Sequence, residues 1–159
     1  GTDYYWDSYS NDTPMSTYLV AFIVSDLKSL SNAEKNFTIW AQPDSIDQAK
    51  YALDIGQKAI KYFATLFNQP YQLDKMDMVA VPDFAGGAME NWGLITYRES
   101  RLLYDPIESS DVAQQTVAAV IVHESTHMWF GNLVTPEWWG DLWLSEAFAR
   151  YYQYFATAK

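Results

Sequence analysis

The 159-residue chain contains two histidines, and both fall in one pentapeptide, His123-Glu124-Ser125-Thr126-His127. A spacing of i, i+4 on a helix turns both imidazoles to one face, close enough to hold a single ion. Glu124 follows His123 by about 100° of helix rotation, so it borders the ion's open side without filling a coordination position. Zinc suits such a set, because it accepts imidazole and carboxylate, prefers four ligands and is catalytic when one position is left for water. A third protein ligand is required. The candidate is Glu146, on the next predicted helix among Leu142, Trp143, Leu144, Ala147 and Phe148, where an apolar setting makes a carboxylate want a cation. A chance match, with the histidines as ordinary core residues, is the competing explanation of the pentapeptide alone, and Glu146 weighs against it. With zinc on His123, His127 and Glu146, a water acidified to a pKa of about 7 can give its proton to Glu124 as general base. The same carboxyl can return that proton to a leaving amine, which is the chemistry of peptide-bond hydrolysis.

These residues need elements to hold them. The stretch Thr17 to Ser25, rich in β-branched and aromatic residues, predicts a strand buried on both faces. A polar passage from Asp26 to Asn36 reads as a linker, and Phe37 to Ala41 as a second short strand. Ser45 with Gln48 has the form of a capping box, followed by an apolar stripe of Ala49, Ala52, Leu53, Gly56, Ala59, Ile60, Phe63 and Phe67; this helix should stop before Pro70. Met76 to Phe84 and Leu94 to Tyr97 read as strands flanking a turn that contains Gly86-Gly87. A second helix starts near Ser109 or Ser110 and runs through the two histidines to Gly131-Asn132, apolar all round in its middle and hence interior. A third helix covers roughly Leu142 to Thr157. No sequence repeat or low-complexity tract interrupts this order.

Composition limits what else the chain can be. Ten Lys and Arg against twenty Asp and Glu leave a formal net charge of −10, and no basic patch exists to displace counterions from phosphates, so nucleic acid is excluded as a partner. The absence of Cys removes thiolate metal sites, thiol nucleophiles and disulfides. With 49% hydrophobic and 17% aromatic residues, the chain can bury a real core and should be globular. No apolar run, that near Val117 to Val122 included, approaches the roughly 20 residues of a membrane span, and no signal peptide opens the chain.

A second motif, Gly87-Ala88-Met89-Glu90-Asn91, stands at the start of the strand leading to Ile95. Alone it reads as a loop carboxylate and a packing methionine. Together with the metal constellation it changes meaning, for the chain resembles the M1 family of zinc aminopeptidases, of the gluzincin clan. The carriers are GAMENWGLITYRE (Gly87 to Glu99), HESTHMWFGNLVT (His123 to Thr135) and WWGDLWLSEAFA (Trp138 to Ala149); MSTYLVAFIVSD (Met15 to Asp26) and PDFAGGAMEN (Pro82 to Asn91) look closest to the aminopeptidase N branch. The resemblance implies zinc as cofactor, one ion per chain, and peptides with a free N-terminus as substrates. It implies that Glu90 binds the substrate's α-ammonium while the backbone of Gly87, Ala88, Met89, Glu90 and Asn91 pairs with the substrate as an added strand. A carboxylate beside the metal rewards only peptides whose N-terminus lies at the site, so the enzyme would remove one residue at a time.

The implied fold is α+β: residues 28–159 as the N-terminal half of a thermolysin-like catalytic domain, truncated after the helix of the third ligand, and residues 1–27 as the end of a β-rich N-terminal domain. Ser125, Thr126 and Met128 depart from the family's usual HELAH followed by Gln. Ser145 and Ala147 replace an Asn and a Gly, and Gly140 replaces an Asp or Asn. No ligand or base is lost. Family members are several times longer, and the Tyr that stabilises the oxyanion in them lies further downstream than Tyr151, Tyr152 or Tyr154, so the isolated fragment should be a poor catalyst. Two alternatives stay open: a gluzincin endopeptidase, for which Glu90 has no amine to bind, and a surface receptor or binding protein on the same scaffold. Two sequons, Asn11-Asp12-Thr13 and Asn36-Phe37-Thr38, fit an extracellular or secreted glycoprotein, with membrane anchoring through parts of the parent outside this sequence; a cytoplasmic location is the alternative.

Overall fold

Residues Phe37–Ala41 leave almost no side chain in water, and in a computed structural model, which describes residues 3–9 and 13–159, they form a central strand. This is β2, flanked by β1 (Lys28–Ser31), β3 (Met76–Val81), β5 (Leu94–Arg98) and the two-residue β4 (Ala88–Met89), in the order β1-β2-β3-β5-β4. The two inner pairings, β2 with β3 and β3 with β5, are parallel; the outer pairings, β1 with β2 and β4 with β5, are antiparallel. A parallel neighbour demands a crossover, and α1 (Lys50–Leu66) supplies it between β2 and β3. The result is the expected mixture of α and β.

Helix α1 lies on the sheet through its smallest residues. Ala52, Gly56, Ala59 and Phe63 are its buried positions, and a Cβ on Gly56 would come within 2.6 Å of the Phe37 ring, so only glycine admits so close an approach to β2. The capping box does not form. Ser45 sits at φ −116°, ψ −4° rather than in extended backbone, the chain enters through a 3-10 turn (Ile46–Ala49), and only the Ser45 carbonyl takes part, accepting from Gln48 N–H. The helix ends before Pro70 as expected, with Asn68 at φ +50° closing the last turn.

Helix α2 (Asp111–His127) begins at Ser110, whose Oγ accepts from the Ala113 N–H at 3.2 Å. It packs against α1 on one side and α3 (Leu142–Thr157) on the other. Its end differs from the expectation: α-helix stops at His127, and residues 128–135 form a tight turn rather than a further helical turn. In that turn Gly131 at φ +128° donates to the Val134 carbonyl, and the N–H groups of Asn132, Leu133 and Val134 satisfy the carbonyls of His127, Met128 and Trp129. An aromatic cluster of Phe63, Phe67, Trp129, Phe130 and Tyr152 joins α1, this turn and α3, with Phe67 and Tyr152 centroids 5.0 Å apart.

Two expectations about the N-terminal third fail. Thr17 to Ser25 is no strand: Thr17–Leu19 is a 3-10 turn whose Leu19 is buried, and beyond it Phe22 is 80% and Val24 91% exposed. β-rich composition expresses a fit to a pleated, half-buried surface, and among the described residues this stretch has no strand to pair with. The supposed linker, by contrast, contributes β1 and the turn into β2, because Asn32 organises it: its Oδ1 accepts from the N–H groups of Asn36 and Phe37. The strands around Gly86-Gly87 are also not a simple pair about a turn. They run parallel, and the intervening chain folds back as β4 on the far edge of β5. No helix among the described residues is long and apolar enough to cross a membrane.

Candidate metal centre

The last turn of α2 and the second turn of α3 face each other, and three side chains meet between them. His123 Nε2 lies 3.2 Å from His127 Nε2 and 3.4 Å from Glu146 Oε2, while His127 Nε2 is 3.7 Å from Glu146 Oε1. Donors on one tetrahedral ion with bonds of about 2.0–2.1 Å stand about 3.3–3.4 Å apart, so these separations bracket what a shared ion requires.

The rings are oriented for that task. His127 Nδ1 lies 2.9 Å from the Phe130 carbonyl, which can only accept, so Nδ1 carries a proton and Nε2 is the nitrogen turned toward His123 and Glu146. His123 Nδ1 lies 3.2 Å from Gln153 Oε1, which also accepts from Arg150 Nη1 at 3.1 Å, and a proton on Nδ1 follows there too. Gly131 makes the His127 arrangement possible, since a Cβ there would stand 3.1 Å from Nδ1.

Carboxylates surround the pair. Glu90, Glu124 and His127, all buried, each place a ligand-type atom within 4.8 Å of the others, beside the first group of His123, His127 and Glu146. Burial pushes the Glu124 carboxyl up to about 8, against the pull of His127 and with help from Glu90 and Glu146; its Oε2 finds no hydrogen-bond partner among the described residues. For His127, burial works against the charged ring, yet the neighbouring carboxylates of Glu146, Glu90 and Glu124 carry it up to about 9. The adjoining His123 and His127 rings hold the Glu146 carboxyl well below the usual carboxylate range. Such a site favours positive charge, and its mixed imidazole and carboxylate donors match a zinc-type ion.

Glu124 is buried, with a carboxylate oxygen within 4.8 Å of ligand-type atoms on His127 and Glu90. Glu146 meets both rings, but its surroundings differ from the expectation: its side chain is 49% exposed, on a helix whose Trp143, Leu144 and Phe148 also reach the surface. Gly87, Ala88, Met89 and Glu90 follow the edge of the sheet. Ala88 and Met89 pair with Tyr97 and Thr96 of β5 on one side and have no strand on the other among the described residues. The Asn91 side chain turns inward, with Nδ2 donating to the Leu19 carbonyl at 3.2 Å and Oδ1 accepting from Thr96 Oγ1 at 3.0 Å. Tyr151 and Tyr154 are exposed and Tyr152 belongs to the aromatic cluster.

Three neighbours went unread in the sequence. Gln153 orients His123 and lies two helical turns past Glu146, so the helical period alone could have placed it on the same face. Asn132 donates Nδ2 to the Glu90 carbonyl at 3.0 Å, and the Gly-Asn pair closing the helix was its one visible signal. Tyr18, packed on Trp139 with centroids 5.2 Å apart, has its phenol raised by burial and by the charges of Glu90 and Glu146; nothing in the sequence marked it.

Residues 51–159 match the model of the peptidase family M1 domain. Glutamyl aminopeptidase of Bos taurus is 51% identical over 154 residues, covering 95% of this chain. Endoplasmic reticulum aminopeptidase 1 of Mus musculus is 50% identical over 151 residues, 93% of the chain, and endoplasmic reticulum aminopeptidase 2 of Bos taurus 51% identical over 148 residues, 91% of it. The chain spans 16% of the length of each of these relatives.

Proposed function

The chain belongs to peptidase family M1, and from that premise we propose that it is the metal-bearing part of a zinc aminopeptidase that hydrolyses the first peptide bond of substrates with a free N-terminus. The observation that carries this reading is the convergence of His123, His127 and Glu146 beside the buried carboxylate of Glu90. His123, His127 and Glu146 would hold one zinc ion, which supplies Lewis acidity, making water a better acid and a carbonyl a better electrophile. Glu124 serves as the base: its desolvated carboxylate takes a proton more avidly than an exposed one and can hand it to the departing amine. Glu90 receives the α-ammonium in a charge-assisted contact. The open edge of β4 supports substrate alignment by strand addition along Gly87 to Asn91.

We read residues 28–159 as part of a thermolysin-like catalytic domain and 1–27 as the end of a preceding β-rich domain, a division supported by the start of the sheet at Lys28. An extracellular or secreted location for the parent protein, with anchoring outside this sequence, draws support from the sequon at Asn36, exposed in the turn before β2; Asn11 and Asp12 of the other sequon lie outside the described residues. Hydrolysis of matched free and N-acetylated peptides by the full-length, zinc-loaded protein tests the proposal. Strong preference for the free peptide is expected, and equal rates would point instead to an endopeptidase.

A further inference from the structure

Glu90 lies between two tethered residues, Met89 in the ladder with Thr96 and Asn91, whose carbonyl accepts from the Leu94 N–H at 3.0 Å, and is itself outside the ladder pairs. Its carbonyl instead accepts from Asn132 Nδ2 at 3.0 Å, and Asn132 is buried in the turn that ends α2. That residue is itself firmly seated: its N–H donates to the His127 carbonyl at 3.0 Å and its carbonyl accepts from Thr135 Oγ1 at 2.6 Å. Two residues earlier, the same turn supplies the Phe130 carbonyl that orients the His127 ring. One short loop therefore holds a ring of the metal triad with one group and the backbone of Glu90 with another.

We infer that Asn132 is a positioning residue that sets the distance between the metal centre and the ammonium-binding carboxylate of Glu90. The inference rests on the aminopeptidase reading. With Met89 and Asn91 still tethered, releasing the Glu90 carbonyl frees the peptide between them to tilt, and the Glu90 carboxylate, within 4.8 Å of ligand-type atoms on Glu124 and His127, would shift out of register with the metal. A shift of about 1 Å is enough to weaken a contact that depends on two fixed points. A substrate held at only one of those points should feel nothing, since the metal triad keeps its own supports in Phe130 and Gln153.

Two small probes separate these cases in the full-length, zinc-loaded protein: alanine hydroxamate, with an α-ammonium and a metal-binding group, and propionohydroxamate, the same molecule without the amine. Calorimetry should show tighter binding of the first to the unmodified protein. In Asn132→Ala that advantage should shrink on the order of tenfold, the scale of one buried hydrogen bond, with zinc content and propionohydroxamate affinity unchanged. Asn132→Leu, close in volume and without any donor, should behave alike. In Glu90→Ala the advantage should vanish, and adding Asn132→Ala should change nothing more. An advantage that persists in the Asn132 variants overturns the inference alone, as does parallel weakening of both probes. Loss of zinc or failure to fold in both Asn132 variants also overturns it, leaving Asn132 a purely structural part. If the unmodified protein shows no advantage for the amine, the aminopeptidase reading fails and the inference falls with it.

Discussion

Gly131→Ala should damage the metal centre from outside it. Gly131 has φ +128°, a region an L-residue enters at a cost of about 1–3 kcal/mol. The new methyl would stand 3.1 Å from His127 Nδ1 and 3.5 Å from the Ser145 Cβ, so something must yield. The His127 ring is 1% exposed and bonded to the Phe130 carbonyl at 2.9 Å, so it cannot retreat without stretching that bond, a further loss of about 1 kcal/mol. The combined destabilisation is about 2–4 kcal/mol. Because the disturbed bond fixes the ring that presents Nε2, zinc affinity should fall by about 10–100-fold. Chelator competition on the full-length protein reads the affinity, and thermal unfolding reads the stability. Gly140→Ala is the control: a Cβ there meets nothing within 4 Å, and its effect should stay within about 0.5 kcal/mol. If both alanine variants retain zinc and melt alike, the link from the turn to His127 is wrong.

Three further outcomes are expected. His123→Ala should abolish stoichiometric zinc binding measured by metal analysis, since one of three converging donors is gone; a variant still carrying one zinc per chain would refute the ligand assignment. Glu124→Gln should retain zinc and fold normally, because the interior already resists ionisation of this carboxyl, yet lose nearly all turnover; simultaneous loss of zinc would make Glu124 a ligand or a structural residue. Expressed alone, residues 1–159 should self-associate in light scattering, because Trp138, Trp139, Trp143, Leu144 and Tyr151 present aromatic and aliphatic surface on and beside α3, and a stable monomer would contradict that expectation.

What could be read from the chain before any fold was known is what local geometry governs. The i, i+4 histidines, the placement of Glu124 between them, the starts of α2 at Ser110 and of α3 at Leu142, and the apolar stripe of α1 all follow from the helical period and from capping, which involve neighbours within a turn or two. The pairing of Glu146 with both rings needed α3 to lie against α2. The sequence offered a candidate residue, but the 3.4 and 3.7 Å separations exist only because the two helices pack. Strand identity was less legible still. Thr17 to Ser25 has strand composition and no strand partner among the described residues, whereas polar Lys28 to Ser31 is a strand because β2 lies beside it: a ladder is a property of two segments, and one segment's residues cannot state it. The same reason hid Asn132 and Gln153. Their partners, the Glu90 carbonyl and the His123 ring, lie on different elements from their own, and only the closed fold brings donor and acceptor within reach.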